Sequence, residues 1–441
     1  MKYFHQLFTI LIFCITLCSQ NSYSKKKFSP SDVSFFLPIP LTAPQSINIL
    51  EKFEGKSLFS TKLWGQLKQV PNGLLTTTSM IGSPFNPQDF FLTSFRYSPC
   101  EPHIFKDMDP KKCKLSVLRI VAQSFSSEGS NPPSFFSKKW GLIDPERYFH
   151  DSALHLIYII PKAQTKKIEK ALLMLKTKGK EITGKSTKGT YLGVHPGLKA
   201  LDDLKASAKQ KKDSLKFFAL LKKTIYSMAS TKNLFAVSEM RGTRNASIGQ
   251  WIFAGNLRDM KSGKLIPQNI SGLKKGEERK THVVSFAKGV PLNPTFLVDR
   301  KKVGPVDDKM APETGKGNEL DGLKRTLKIL NPEQTVIVKG DCVSCHMATP
   351  ILSRRVNDKG QNLGLSASQL KQLEAFRYSP KLSGEKLTLN PDHLKIRANK
   401  KNGTFLILNF GRCSGRKTNQ KLCISQRTLN ETLQVIKFLN N

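Results

Sequence analysis

Two thiols and an imidazole stand within a few residues of one another in Asp341-Cys342-Val343-Ser344-Cys345-His346. Two residues between the cysteines let both sulfurs reach one edge of a flat ligand, and the next residue brings a ring nitrogen beneath it. Three chemistries use such a set. The thiols can bond the two vinyl groups of a porphyrin while the imidazole ligates its iron. The pair can exchange disulfides. It can also form one corner of a zinc site, but zinc takes four ligands and no second Cys-x-x-Cys occurs. With 8 Cys and 8 His in 441 residues, chance places Cys-x-x-Cys-His in about 0.3% of shuffled chains.

The motif resembles the haem-attachment site of c-type cytochromes, closely over these residues and loosely over the C-terminal quarter of the chain. The resemblance implies one covalent haem c held by Cys342 and Cys345, with His346 as proximal iron ligand. It implies electron transfer with a redox partner protein, an acidic one given the charge of this chain. Small cytochromes of this type supply a downstream methionine as sixth ligand. Here none follows Met347, which adjoins His346 and cannot reach the opposite face. His393 is the only histidine after the motif and is the candidate distal ligand. A ligand from the N-terminal part of the chain and a five-coordinate iron stay open. Arg354 and Arg355 are candidates to pair with haem propionates, against the plainer reading of a solvated helix end.

Two readings without haem compete. Thr335–Val338 reads as a strand before the cysteine pair, and Pro350 follows it, a layout that resembles thioredoxin and periplasmic thiol–disulfide exchange. Against it, Asn402-Gly403-Thr404 rather than a proline precedes the downstream run Phe405–Phe410, and the segment before the motif lacks a full β-α-β unit. The other reading is a non-catalytic envelope-binding protein whose basic N-terminal module is the working part.

Residues 1–24 read as a secretory signal, with Lys2, an apolar run from Leu7 to Leu17 and a small-x-small site at Ser22-Tyr23-Ser24. The bulky Leu17 before Cys18 argues against a lipoprotein. A periplasmic or otherwise exported location is expected, and no later segment reads as a membrane span. Export agrees with the resemblance, since covalent haem attachment takes place outside the cytoplasmic membrane. Six cysteines then remain, and if Cys342 and Cys345 hold haem, Cys100, Cys113, Cys413 and Cys423 are left for disulfides. Neighbours in sequence, 100 with 113 and 413 with 423, give the economical pairing among three connectivities. The net charge of +38 attracts anionic envelope surfaces or acidic proteins, or merely solvates the surface. Nucleic acid is a poor partner for an exported chain.

The run Gly179-Lys180-Glu181-Ile182-Thr183-Gly184-Lys185-Ser186 matches the phosphate-binding P-loop pattern. That loop needs a strand entering and a helix leaving; here the periodicity predicts a helix entering, so the match is refused.

The remaining chain predicts an α+β fold. A β-rich module with some helices, of unknown role, spans 25–287. A Pro- and Gly-rich linker spans 288–317, and a mainly helical, cytochrome c-like haem module spans 318–441. Prolines at 30, 38, 40 and 44 exclude a helix over 25–48, and Val33–Leu37 suits a short edge strand. Phe91, Thr93, Phe95 and Tyr97 alternate on one strand face; Leu115, Val117, Arg119, Val121 and Gln123 do so on the next; Ala153–Ile160 makes a third strand. A disulfide between Cys100 and Cys113 would tie the first two into a hairpin. Ile168, Leu172 and Leu175, and then Phe218, Leu221, Ile225 and Met228, recur at helical spacing. Leu234–Glu239, Gln250–Leu257 and His282–Phe286 read as strands. In the C-terminal module, Asn318 caps a helix carrying Leu320, Leu323, Leu327 and Leu330. Ser366-x-x-Gln369 opens another, and Thr428-x-x-Glu431 opens the last as a capping box, with Leu429, Leu433, Ile436 and Leu439 on its stripe.

Overall fold

Alternating apolar residues between Phe90 and Leu257 build one antiparallel sheet. The computed structural model describes residues 28–38, 46–67, 87–100, 115–127, 147–187, 192–203, 205–242, 250–268, 281–285, 327–328, 330–333, 368, 371–372, 411–412 and 422–440. In chain order the strands are β1 (Ser34–Phe36), β2 (Lys52–Phe53), β3 (Lys56–Ser57), β4 (Phe90–Ser98), β5 (Leu115–Ser127), β6 (Arg147–Pro161), β7 (Leu234–Gly242), β8 (Gln250–Arg258), β9 (Leu265–Pro267), β10 (Thr281–Ser285), β11 (Gly411–Arg412) and β12 (Leu422–Cys423). The helices are α1 (Pro30–Val33), α2 (Thr61–Leu67), α3 (Lys162–Thr183), α4 (Lys199–Asp202), α5 (Ala208–Met228) and α6 (Gln426–Asn440). The large sheet runs β1-β4-β5-β6-β7-β8-β10, and β9 pairs with the far end of β8.

The expected α+β mixture is present as this sheet with helices packed on it. α3, α4 and α5 lie between β6 and β7 in the chain, while those two strands pair directly. Ile168, Leu172 and Leu175 of α3 and Phe218, Leu221, Ile225 and Met228 of α5 are buried, in one cluster with Leu118, Ile120, Leu156 and Tyr158 of the sheet. The helical stripes read from the sequence thus form the inner faces of a helix pair lying on the sheet. Gly179 lets the helices approach: a Cβ there would sit 2.9 Å from the Phe217 ring.

Three sequence expectations need correction. Phe91 and Thr93 do not share a face with Phe95 and Tyr97. The β4–β5 register shifts between Leu92 and Ser94, so Phe90, Leu92, Phe95 and Tyr97 enter the core beside the helices. One extra residue in a strand reverses the side of all that precede it. Residues 25–48 are not free of helix: Pro30–Val33 forms one turn, because proline at its start removes no hydrogen bond the turn needs. Ser34–Phe36 then forms the expected edge strand on β4.

The third correction concerns the last helix. Thr428 and Glu431 are not its capping box. α6 starts at Gln426, and the Ser425 side chain accepts the Thr428 amide at 3.1 Å. Glu431 reaches out sideways instead. Leu429, Leu433 and Ile436 are buried as the stripe predicts. α6 rests on the first strands of the sheet: Ser34 and Thr432 hydroxyls hydrogen-bond at 2.7 Å. Glu431 meets Arg96, which alternates with the inward Phe95, so α6 covers the face opposite to α3 and α5.

Cys100 takes part in a disulfide. Cys113 and Cys413 lie outside the described residues, as do residues 1–24 and 286–326, and with them the expected signal and linker. β11 and β12 pair antiparallel, Gly411 opposite Cys423.

Candidate functional site

Cys342, Cys345, His346, Arg354, Arg355 and His393 lie outside the described residues. The described residues nearest in sequence to Cys342, Cys345 and His346 are Leu330–Glu333, which dock on α6. Asn430 Nδ2 donates to the Leu330 carbonyl at 2.7 Å, and Lys437 Nζ lies 3.7 Å from Glu333. Leu327, Lys328 and Leu330 are helical, so the end of the helix expected before the motif touches the last helix of the chain.

On its other side α6 holds a cluster of buried charges. Arg427 Nε donates to Glu431 Oε1 at 2.7 Å from the preceding turn. Arg119 of β5 reaches Glu431 Oε2 at 3.4 Å, and Arg96 of β4 pairs with the same oxygen. Arg96 and Arg119 stand directly opposite each other in the ladder, so one carboxylate draws two like charges together. Arg427 is 1% exposed. A carboxylate buried in this way is held by charge-assisted hydrogen bonds that offset its lost hydration. This cluster fastens α6 to the sheet. Sequence reading took Glu431 for a capping residue and missed it, because Arg96 and Arg119 lie more than 300 positions away.

A second buried polar group is His195. Its amide donates to the Phe36 carbonyl at 3.1 Å, extending the edge of the sheet past β1. Its ring lies between Phe35 and Phe217, with centroids 4.8 Å from each. Nδ1 accepts the Gly197 amide at 3.1 Å, capping the short turn Pro196–Leu198. Nε2 therefore carries the proton, and it meets no acceptor among the described residues. Burial lowers the pKa from 6.5 to about 3. A ring so enclosed stays neutral near pH 7 and serves packing rather than proton transfer.

Two further acids, the buried Asp32 and the half-buried Glu169, have structural partners. Lys176 Nζ donates to Asp32 Oδ2 at 2.8 Å, and the Ser29 amide does so at 2.6 Å. The Tyr97 hydroxyl donates to Glu169 Oε1 at 3.5 Å. Burial raises both groups of that pair above their ordinary pKa values.

The P-loop match is overturned by geometry. Gly179–Thr183 closes α3, and Gly184 is its left-handed C-cap with φ 65°. A helix C-terminus presents carbonyl oxygens, which repel phosphate.

Among the described residues, no group of three or more His, Cys, Asp or Glu could hold a metal ion. No helix among them is long and apolar enough to cross a membrane. Compared with protein families, with curated proteins and with solved structures, the chain matches none.

Proposed function

We propose that the chain is an exported monohaem c-type cytochrome that carries electrons to or from a protein partner. The carrying observation is Cys342-x-x-Cys345-His346. Its donor set fits the group: two thiols and a neighbouring imidazole are what covalent haem attachment uses. Cys342 and Cys345 would hold the group through thioether links to its two vinyl positions, His346 would ligate the iron, and His393 is the candidate second iron ligand of this reading. The bound group supplies one-electron exchange, and the protein supplies placement, potential and access. Anchoring of Leu330–Glu333 to α6 fixes the chain eight residues before Asp341, so the haem-bearing segment leaves from a firm base. The pairing of Cys100 with Cys113 and of Cys413 with Cys423 belongs to the same exported reading.

The test is expression in a host competent for cytochrome c maturation. The expected product is coloured, keeps its haem through denaturing electrophoresis, and gives a haemochrome spectrum with both vinyl groups saturated. Cys342→Ser with Cys345→Ser should abolish the colour. A colourless wild-type protein from such a host overturns the proposal, and counting free thiols then decides whether Cys342 and Cys345 are a disulfide-exchange pair.

A further inference from the structure

α3 and α5 lie side by side with their apolar stripes turned to the sheet, so their polar faces look outward together. These two helices carry thirteen lysines, three carboxylates and no arginine. Carboxylates offset only part of this charge. Glu169 turns to Tyr97, Glu181 is paired with Lys178 and Asp213 with Lys216; from other elements Asp32 pairs with Lys176, Glu51 with Lys222, and Glu54 lies 3.7 Å from Lys223. On α5, Lys209, Lys212, Lys216 and Lys223 recur three, four and seven residues apart and are all exposed, giving one stripe. Lys166 and Lys170 are exposed on α3. A 22-residue helix is about 33 Å long, so the pair forms a broad basic face rather than a groove.

We propose that this face is a docking surface for a lipid bilayer rich in anionic headgroups. An ammonium on a flexible stem is a point charge with no preferred fork, and mobile headgroups can gather beneath it. Fixed carboxylates on a protein partner are matched better by guanidinium groups. The arginines described at positions 96, 119 and 427 are spent inside, on Glu431. Met174 is 41% exposed within the same layer and offers an apolar contact at the headgroup boundary. Contact from outside agrees with the absence of a membrane-crossing helix among the described residues. The inference stands apart from the haem reading, since it concerns other residues and its test needs no bound cofactor.

The experiment is flotation of the full-length protein with vesicles of phosphatidylglycerol and phosphatidylcholine, or of phosphatidylcholine alone, at low and high salt. Binding to the anionic vesicles only, lost as salt rises, is expected. The quadruple variant K209Q/K212Q/K216Q/K223Q should weaken binding by at least about tenfold. A control with four exposed lysines removed elsewhere, K52Q/K62Q/K261Q/K264Q, should bind nearly as wild type. Equal losses in both variants would mean diffuse charge and overturn the proposal. So would equal binding to neutral vesicles, or capture by a soluble polyanion such as dextran sulfate with no vesicle binding. Circular dichroism of both variants establishes that they are folded before binding is compared.

Discussion

His195 should make the stability of this fold acid-sensitive in a way that one substitution removes. Its folded pKa is about 3, against 6.5 for the exposed ring. The unfolded chain therefore binds a proton, as the pH falls below 6.5, that the folded chain refuses. Stability contributed by the neutral ring is complete above that value. It is lost progressively down to about pH 3, where the folded ring protonates too. From pH 7 to pH 4.5 the loss is about 2–3 kcal/mol, roughly half of it between pH 5.5 and 4.5. In His195→Asn, the side-chain oxygen can replace Nδ1 as acceptor for the Gly197 amide, but the variant has nothing to titrate. It should lose about 2–3 kcal/mol at neutral pH through the missing ring contacts with Phe35 and Phe217. Urea unfolding of both proteins across this range, followed by tryptophan fluorescence, should show the gap closing as the pH falls. Parallel curves, with the same gap at every pH, would mean that the folded ring takes up its proton freely and would refute the enclosure argued from its stacking.

Four further outcomes follow from named contacts. Glu431→Gln leaves Arg96, Arg119 and Arg427 crowded without their shared carboxylate and should cost about 3–5 kcal/mol in denaturant unfolding. Glu181→Gln, at an exposed pair with Lys178, should stay within about 0.5 kcal/mol. Gly197→Ala places a Cβ 2.7 Å from the Phe217 ring and should cost about 1–3 kcal/mol, with part recovered in a double variant carrying Phe217→Leu. Ser425→Ala removes the acceptor of the Thr428 amide and should cost about 1 kcal/mol, read as a fall in the midpoint of thermal unfolding.

The sequence displayed the sheet and the helix pair because each states its period locally. Ile168, Leu172 and Leu175 mark a helix face whatever they pack against, and Ala153–Ile160 is a strand run in its own right. The bulge beside Thr93 carries no such mark, since any residue can be the extra one, and it reversed the side assigned to Phe91. The last helix was legible in its stripe but not in its start, because Ser425 and Thr428 both offer a hydroxyl at capping distance from a polar residue. Its seat on the sheet was hidden altogether. Ser34 and Thr432 are 398 residues apart, and no local pattern announces their hydrogen bond. His195 was hidden for the same reason: a lone histidine before a proline says nothing of the two phenylalanines that enclose it. The Cys342-x-x-Cys345-His346 motif is the opposite case, read entirely from spacing, and it lies outside the described residues.

The Asn440 side chain accepts the Phe28 amide at 2.8 Å and donates to the Phe28 carbonyl at 3.0 Å. Both backbone groups at the front of the described fold are thus satisfied by the final turn of its final helix. A growing chain cannot make this clasp until Asn440 has been made. The strand edge at Ser34 must wait for the same helix, with its neighbouring contacts open to chaperones or to rival chains. Removing the last turn of α6 would return the fold to that waiting state, loosening the segment at Phe28 first.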